Sequence, residues 1–546
     1  MAKIVNVDQM RAIEQAADAA GLSYDQMMIN AGTAVAEAVL HRLPEPAGKR
    51  VAILVGSGNN GGDGLVAGDV LAEAGAQVSV YLVKARPDPD PHLEAIKERG
   101  LLVAEADQDQ RKRVLANMLS TADVVLDAVF GTGLKLPLKG EAKGILGSVQ
   151  KALQKRPVKP LVVAVDCPSG LDTDSGEVAD ETLACDLTVT LAAAKVGLLR
   201  FPGAAKVGSL IVADIGVSSK QQELSNVDLE LATQEIVREW LPQRPKDSHK
   251  GTFGQVVVIG GSITLPGAAA LAGTAAYRTG AGLVTLAVPS AIQALLAPQL
   301  PEATWILLPH DMGIVNEASV EVLVQAVSGS PVLLIGPGMG RDESASKFLR
   351  RLLGAEGGGH RGRLGFLPDA AEGSEPGLGL GPCVIDADAL SLLPEIESWP
   401  ARLPSETVLT PHPGEMATLT GEGKEKLQAD RMSAAKKWAA EWGHVVVFKG
   451  AFTVVAAPDG RVSVLPFATS ALASAGAGDV LAGTIAGFRA QGVAGYEAAV
   501  LGGYVHGLAG VQAAQMLGSE ASVMAGDVIS ALPEAMEIVA ADETDS

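Results

Sequence analysis

A glycine-rich loop near the N-terminus carries three oxygen-bearing side chains. Residues 56–64 read GSGNNGGDG and follow the apolar run VAILV. The glycine spacing matches a dinucleotide-binding fingerprint, which also requires an acidic residue about twenty positions later. That position falls in YLVKARPD, where Lys84 and Arg86 stand instead. The oxygens of Asn59, Asn60 and Asp63 suit an alkali or hard cation, with a phosphate held at the start of the next helix. A simple Asn-Gly turn is the alternative.

Two later segments place an aspartate at the end of an apolar run. They are DAVFGTGLKLP at residues 127–137 and DCPSGLDTDSG at 166–176. Open α/β sheets bind ligands at the carboxyl ends of their strands, so the three segments together predict one site. Asp166 is a candidate acid/base, because its carboxyl group could give or take a proton at such a site. Lys195, in LAAAKVG, could be a second proton carrier, a charge stabiliser or only a lysine that caps a strand.

The second half carries a different kind of site. SAGAGDVLAG, residues 474–483, places small residues before a helix, where backbone N–H groups could converge on a phosphate. Asp479 would then take a proton from an attacking hydroxyl, although a tightly packed Ala/Gly helix start is the alternative. Five other loops at predicted strand ends accompany it: GGSITLPGAAALAG (260–273), GPGMG (336–340), DADAL (386–390), TPHPGE (410–415) and VFKGAFTVV (447–455).

The elements that position these residues form two series of alternating strands and helices. A helical pattern from about Asp8 to His41, broken near Gly21, precedes the first series, and the second begins at GQVVVIGGS. Each series predicts a doubly wound α/β fold with a mostly parallel sheet. The polar stretch between them places a boundary near Glu223, which gives domains 1–222 and 223–546. The Gly/Pro-rich segment 354–383 predicts a flexible insertion, and the final AADETDS a disordered tail.

The amino-acid composition argues against some classes of binding partner. The chain has 546 residues with 43 Lys and Arg against 63 Asp and Glu, a net charge of −20. This charge argues against nucleic acid and anionic membranes as partners. No run of eighteen apolar residues interrupts the sequence, and its three cysteines form no CxxC pair. Histidine spacing matches no transition-metal motif. We therefore expect a soluble, cytoplasmic protein.

The first three motifs, in this order, resemble those of NAD(P)H-hydrate epimerases over about residues 1–222. The resemblance implies a Rossmann-like domain that interconverts the R and S forms of hydrated NADH and NADPH. It also implies a potassium ion near Asn60, Asp127 and Ser169. Loss of stereochemistry at the hydrated carbon, by ring opening or by departure of the hydroxyl, needs a proton donor and acceptor. The implied contacts to the hydrated nucleotide are Asn59, Asn60, Gly61, Gly62, Asp63, Gly131, Thr132, Gly133, Leu134, Lys135, Leu136, Pro137 and Asp166.

The six motifs of the second half resemble those of ADP-dependent NAD(P)H-hydrate dehydratases over about residues 240–535. The resemblance implies a ribokinase-like α/β domain that uses ADP and Mg²⁺. In the implied reaction Asp479 deprotonates the ring hydroxyl, which takes the terminal phosphoryl group of ADP, and phosphate then leaves to restore the reduced ring. The implied contacts are Ala268, Gly338, His412 and Asp479 for the hydrated nucleotide, and Lys449, Gly450, Ala451, Phe452, Thr453 and Gly478 for the adenine nucleotide.

Together the two resemblances predict a bifunctional metabolite-repair enzyme, and by analogy a homo-oligomer. One alternative is a kinase for a vitamin precursor whose first half is regulatory. The other is a non-catalytic sensor of nucleotide or potassium. The first would accumulate a phosphorylated product, and the second would bind ligand without turnover.

Overall fold

The computed structural model describes residues 2–355 and 380–541, which form two compact units, Ala2–Leu231 and Ala232–Ser546. The boundary predicted between residues 222 and 223 falls inside the first unit. Most of the predicted insertion, residues 356–379, and the last five residues of the predicted tail lie outside the described residues. In the described part, no helix is both long and apolar enough to cross a membrane.

The first unit contains ten strands and seven helices. The strands are β1 (Ala2–Val5), β2 (Arg50–Val55), β3 (Gln77–Leu82), β4 (Leu102–Glu105), β5 (Val124–Ala128), β6 (Leu161–Val165), β7 (Leu187–Leu191), β8 (Ala194–Lys195), β9 (Ser209–Ala213) and β10 (Leu229–Leu231). The helices are α1 (Val7–Ala19), α2 (Tyr24–Arg42), α3 (Asn59–Glu73), α4 (Pro91–Glu98), α5 (Arg113–Thr121), α6 (Gly140–Gln154) and α7 (Gln222–Ser225).

Seven of these strands form one parallel sheet in the order β4-β3-β2-β5-β6-β7-β9. Both faces are covered by apolar side chains, which explains why the strands are continuous hydrophobic runs. The strand order reverses between β2 and β5, so the loops that follow these two strands diverge and leave a crevice. The GSGNNGGDG and DAVFGTG motifs supply those two loops.

The N-terminal helical pattern forms α1 and α2, with the break that the sequence predicts around Gly21. Asn6 and Ser23 cap the two helices by accepting hydrogen bonds from the backbone N–H groups of Gln9 and Gln26. Strand β1 lies between β10 and β8, antiparallel to the first and parallel to the second.

The second unit contains thirteen helices and eleven strands within its described residues. The strands are β11 (Gln255–Ile259), β12 (Leu283–Pro289), β13 (Thr304–Leu308), β14 (His310–Asp311), β15 (Ile314–Val315), β16 (Val332–Ile335), β17 (Cys383–Ile385), β18 (Val408–Leu409), β19 (Val445–Phe448), β20 (Val454–Ala456) and β21 (Val462–Val464). The helices are α8 (Gln234–Glu239), α9 (Gly267–Arg278), α10 (Gln293–Leu296), α11 (Ser319–Ala326), α12 (Glu343–Leu352), α13 (Ala387–Leu392), α14 (Trp399–Arg402), α15 (Pro413–Thr420), α16 (Lys424–Ala429), α17 (Arg431–Trp442), α18 (Ala477–Ala490), α19 (Gly495–Leu517) and α20 (Ala525–Ala540).

The sheet of this unit runs β13-β12-β11-β16-β17-β18-β19-β20-β21. The first seven strands are parallel, as predicted, and the last two are antiparallel additions at the end of that series. Its order reverses between β11 and β16, where the motifs 260–273 and 336–340 begin. Helices α18, α19 and α20 are rich in alanine and glycine, and their small residues permit close packing against the core.

Candidate active sites

A cavity of about 540 Å³ opens in the first unit beside the ends of β2 and β5. It lies at the reversal of strand order, the position where open α/β sheets bind ligands. The side chains and loops that line it include residues from all three motifs and from the two N-terminal helices. These residues are Arg11, Glu14, Tyr24, Met27, Met28, Ala31, Ser57, Gly58, Asn59, Asn60, Asp63, Val129, Phe130, Gly131, Thr132, Gly133, Leu134, Lys135, Asp166, Leu191, Lys195 and Ile215.

Asp166 and Lys195 form an ion pair at the wall of this cavity. The ammonium of Lys195 lies 2.5 Å from Asp166 Oδ1, and both side chains are buried. The other two Lys195 donors reach Thr190 Oγ1 at 3.1 Å and the Leu191 carbonyl at 2.8 Å. Asp166 has a φ of +65°, a costly conformation for a residue with a side chain, which favours a functional role for its placement. The predicted acid/base, Asp166, is therefore paired with Lys195, whose role the sequence did not decide.

Asp63 lies in the second turn of α3 and lines the same cavity. Its side chain is buried, and within the described part of the chain it makes no hydrogen bond or ion pair. Burial raises the pKa of Asp63 well above its usual value, and the charges of Asp166 and Glu14 raise it further. Lys195 and Arg86 oppose this shift without cancelling it. The raised pKa favours the protonated form of Asp63, which lines the same cavity as the Asp166–Lys195 pair.

Of the residues predicted to hold potassium, Asn60 lines the cavity, whereas Asp127 and Ser169 do not. Ser169 donates from its hydroxyl to Asp127 Oδ1 at 2.5 Å and from its N–H to Oδ2 at 2.8 Å. The amide of Asn60 is buried beside Gly131, and neither its oxygen nor its nitrogen has a partner within the described residues. A buried amide without partners costs free energy, which a bound cation at its oxygen would recover. The donor set of amide, carboxylate and hydroxyl oxygens therefore fits an alkali cation.

Arg86 explains why the glycine loop lacks the acid of a dinucleotide fingerprint. Its guanidinium donates to the carbonyl oxygens of Gly56 at 2.6 Å and Gly58 at 3.0 Å. It also pairs with Asp90 at 2.5 Å, and both of these side chains are nearly fully buried. Arg86 thus fixes the loop that presents Asn59 to Asp63, a role that the sequence analysis did not assign.

Some predicted contacts do not line the cavity. Gly61 packs against the Gly56 carbonyl and Gly62 against Met28, so that an added Cβ would meet these atoms at 2.2 and 2.3 Å. These two glycines allow α3 to lie close to its neighbours. Leu136 and Pro137 also lie outside the cavity lining, whereas residues 131–135 belong to it.

Sequence reasoning also missed lining residues from α1 and α2, among them Glu14, Tyr24 and Met28. The only signal for them was the amphipathic pattern of the two helices, which does not show that their buried faces border a ligand site. Burial raises the pKa of Glu14, and the charge of Lys195 opposes that change.

In the second unit, Asp479 lies in the first turn of α18, directly after the GAG sequence. Burial raises the pKa of Asp479 to about 7, and the neighbouring charge of Asp386 raises it while Lys449 lowers it. A carboxyl with a pKa near the working pH is suited to general base catalysis. Gly476 has a φ of +87°, which allows the turn that precedes the helix.

Lys449 pairs with carboxyl groups from two other motifs of this unit. Its ammonium lies 2.7 Å from Asp386 Oδ1 and 3.8 Å from Glu415 Oε2. Burial lowers the pKa of Lys449, but these two carboxyl groups outweigh it and raise the pKa above its ordinary value. Asp386 also accepts a hydrogen bond from Thr410 at 2.7 Å, so its side chain does not cap α13. A Cβ added to Gly478 would lie 3.4 Å from the Lys449 ammonium, which places the lysine beside the GAGD turn.

His412 begins α15 and takes part in a reciprocal cap. Its Nδ1 accepts from the N–H groups of Gly414 and Glu415, while Glu415 Oε2 accepts from the His412 N–H. Burial lowers the pKa of His412, and Lys449 lowers it further, so the ring is neutral. Half of the side chain is exposed, with Nε2 3.3 Å from Glu415 Oε1. Burial also raises the pKa of Glu415 to about 7.

The remaining predicted contacts of the second unit cluster in two places. A Cβ added to Gly338 would lie 2.8 Å from Ala268, so the loops after β11 and β16 meet there. Asp388 stabilises the second loop, because it accepts from Gly340 N–H at 2.9 Å and from Arg341 at 2.6 Å. Asp388 is thus a structural partner of this loop.

The loop predicted to hold the adenine nucleotide, residues 449–453, is braced by Arg431. This guanidinium donates to the carbonyl oxygens of Phe448 at 2.6 Å and Ala451 at 2.5 Å. Burial lowers the pKa of Arg431 to about 10. Thr453 closes the turn by donating to the Gly450 carbonyl at 2.8 Å. Arg431 was not identified from the sequence, because it lies on a helix far from any motif.

Across residues 2–355 and 380–541, no three His, Cys, Asp or Glu side chains converge in a group that could hold a metal ion alone.

Comparison with known proteins covers both units. The family model described as NAD(P)H-hydrate dehydratase matches residues 256–534, and the one described as YjeF-related protein N-terminus matches residues 24–197. The bifunctional NAD(P)H-hydrate repair enzyme Nnr of Moorella thermoacetica is 39% identical over 476 residues, 86% of this chain and 84% of that protein. The protein of the same name from Escherichia coli is 31% identical over 484 residues, 88% of this chain and 83% of that protein.

A solved structure is similar to part of the chain. The ADP/ATP-dependent NAD(P)H-hydrate dehydratase from Bacillus subtilis, co-crystallised with ATP/Mg²⁺, is 29% identical. The similarity covers 57% of this chain and 98% of that one, with a TM-score of 0.44.

Proposed function

Because this chain belongs to the family of bifunctional NAD(P)H-hydrate repair enzymes, we propose that each of its compact units carries one of the two repair reactions. The first unit epimerises the R and S forms of hydrated NAD(P)H, and the second dehydrates the S form to NAD(P)H at the expense of ADP. The observation that carries this assignment is that every candidate group of the first site lies between residues 11 and 215, and every group of the second between 268 and 479.

In the epimerase unit, Asp166 is the proton acceptor at the hydrated ring. Lys195 holds this carboxyl in place, because it pairs with Asp166 while its other two donors reach Thr190 and the Leu191 carbonyl. The loop at residues 131–135 and Asn59 would contact the nucleotide. Asn60, Asp127 and Ser169 would hold K⁺, which would supply fixed positive charge beside the anionic substrate.

In the dehydratase unit, Asp479 takes the proton of the ring hydroxyl as that oxygen accepts the terminal phosphoryl group of ADP. Residues 449–453 and Gly478 would hold the nucleotide, while Ala268, Gly338 and His412 would contact the hydrated ring and its phosphates. When bound, Mg²⁺ neutralises phosphate charge during this transfer. Lys449 keeps Asp386 and Glu415 paired beside the reacting groups.

The test supplies purified protein with R and S NADHX, ADP, Mg²⁺ and K⁺ and follows the return of reduced-nicotinamide absorbance. We expect wild type to convert both epimers promptly. Asp166→Ala should convert the S form and leave the R form to slow spontaneous epimerisation, whereas Asp479→Asn should convert neither. If the wild type consumes no hydrate while it binds ADP, the dehydratase assignment is wrong.

The same assay separates the alternatives. Accumulation of a phosphorylated product without return of absorbance would favour a kinase, and nucleotide binding without any product would favour a sensor. A homo-oligomer and a cytoplasmic location are further parts of this proposal. Light scattering of the purified chain tests the first, and cell fractionation tests the second.

A further inference from the structure

Epimerisation needs a proton donor as well as an acceptor, and only the acceptor has been assigned. Lys195 cannot supply the donor, because its three N–H groups point to Asp166, Thr190 and the Leu191 carbonyl rather than into the cavity. The donor must be a side chain that lines the cavity and holds a transferable proton near neutral pH.

Asp63 has the required position and environment. Among the titratable side chains that line the cavity in the described structure, Asp63, Asp166 and Lys195 are buried, and of these three Asp63 makes no hydrogen bond or ion pair. A buried carboxyl without a partner is destabilised when ionised, so it retains its proton. The cavity thus holds one carboxyl group paired with a lysine and one buried without a partner, two environments that suit a proton acceptor and a proton donor.

We propose that Asp63 is the second catalytic residue of the epimerase, a carboxylic acid that delivers a proton to the hydrated ring while Asp166 accepts one. This inference rests on the proposed epimerase function. It gives Asp63 a role in catalysis beyond the contact to substrate that the motif implies.

The protons balance in both chemical routes. In ring opening, Asp166 takes the hydroxyl proton, the electrons left on oxygen form the carbonyl, and the C–N bond pair moves to the nitrogen, which receives the proton of Asp63. Closure on the other face of the carbonyl returns both protons. In hydroxyl departure, Asp63 protonates the oxygen, which leaves as water while the nitrogen lone pair forms C=N. Water then adds from the other face with loss of a proton to Asp166, and proton exchange with solvent restores both carboxyl groups.

The neighbouring charges determine how the pair responds to pH. Burial first, and then the negative charges of Asp166 and Glu14, raise the pKa of Asp63. The epimerase should therefore lose activity as pH rises through that raised pKa, because Asp63 then loses its proton. The titratable and charged groups that face this site come from α1, α2, β8 and three loops, and they are Arg11, Glu14, Tyr24, Arg86, Lys135, Asp166 and Lys195.

The experiment follows epimerisation of enriched S NADHX by full-length protein without ADP, so that the dehydratase does not consume the substrate. Asp63→Asn keeps the size of the side chain and removes its acidic proton. We expect kcat to fall about 10²- to 10⁴-fold, the usual contribution of a general acid, with little change in KM or in the K⁺ concentration needed. The matched control is Asp69→Asn on the same helix, whose carboxylate pairs with Arg99 outside the cavity.

Three results would overturn the proposal. They are a kcat for Asp63→Asn within about twofold of the control, a loss of rate recovered by more substrate or more K⁺, and a wild-type pH profile without a fall at high pH. The last measurement needs no variant and decides the question even if Asp63→Asn fails to fold. Failure of the wild type to epimerise would instead contradict the proposed function.

Discussion

At the residue scale, the proposed general base of the dehydratase is a carboxyl that must be ionised in surroundings that disfavour its charge. Asp479 is mostly buried near Asp386, and burial raises the pKa of Asp479 to about 7. A general base works only when it is unprotonated. We therefore expect kcat/KM for S NADHX to rise with pH through about 7 and then level. A rate on S NADHX that is flat between pH 5 and 9, measured at saturating ADP and Mg²⁺, would contradict this.

The same pKa predicts a cost in stability. The pKa of this carboxyl is higher in the folded than in the unfolded state, so its protonated form favours the fold. That stabilisation is present below about pH 4 and is lost as pH rises to about 7. Asp479→Asn removes the charge, so it should raise Tm at pH 8 by a few degrees and change it little at pH 4. Calorimetry across this range measures the difference.

The control for this measurement is Asp459→Asn. Asp459 is exposed, and a hydrogen bond and ion pair with Arg461 lower its pKa, despite the opposing effect of partial burial. Its substitution should not raise Tm at pH 8. If Asp479→Asn lowered Tm at every pH, the carboxylate would be stabilising the fold, and the expected destabilisation by its buried charge would be wrong.

At the element scale, glycines decide how closely α9 and α18 approach. A Cβ added to Gly483 would lie 2.1 Å from the Ala272 carbonyl oxygen, a backbone atom that cannot move without shifting α9. We expect Gly483→Ala to destabilise the second unit by about 1–3 kcal/mol, the usual cost of overpacking, despite the higher helix propensity of alanine. Urea unfolding measures this free energy.

Gly526→Ala is the matched control, because Gly526 also lies in a helix but a Cβ there meets nothing within 4 Å. It should be neutral or stabilise the unit by up to about 1 kcal/mol. Equal effects of the two substitutions would show that helix propensity, and not the approach of α9 to α18, explains the glycine at 483.

Sequence reasoning predicted elements better than contacts. The alternating strand and helix pattern predicted the order of strands along the chain, and the positions of the motifs at strand ends followed from that order. The sequence could not predict two ion pairs, Lys195 with Asp166 and Lys449 with Asp386, because each pair brings together residues from the ends of different strands. Arg86 and Arg431 brace loops through backbone carbonyls, and a lone arginine on a loop or helix gives no sequence signal for such a contact.

At the scale of the whole molecule, the division of the chain into two compact units predicts that the two reactions are separable. Each site draws its described groups from one unit alone. Full-length Asp166→Ala and Asp479→Asn proteins mixed in equal amounts should therefore convert both epimers, because the S form made by one protein diffuses to the other. The measurement is the final yield and rate of NADH from R NADHX, with each variant alone as the control. A mixture that converts R NADHX no faster than Asp166→Ala alone would show that both sites must be intact in one chain. A rate close to that of the wild type at the same concentration of each intact site would mean that the fusion supplies both enzymes together without requiring transfer of substrate within one molecule.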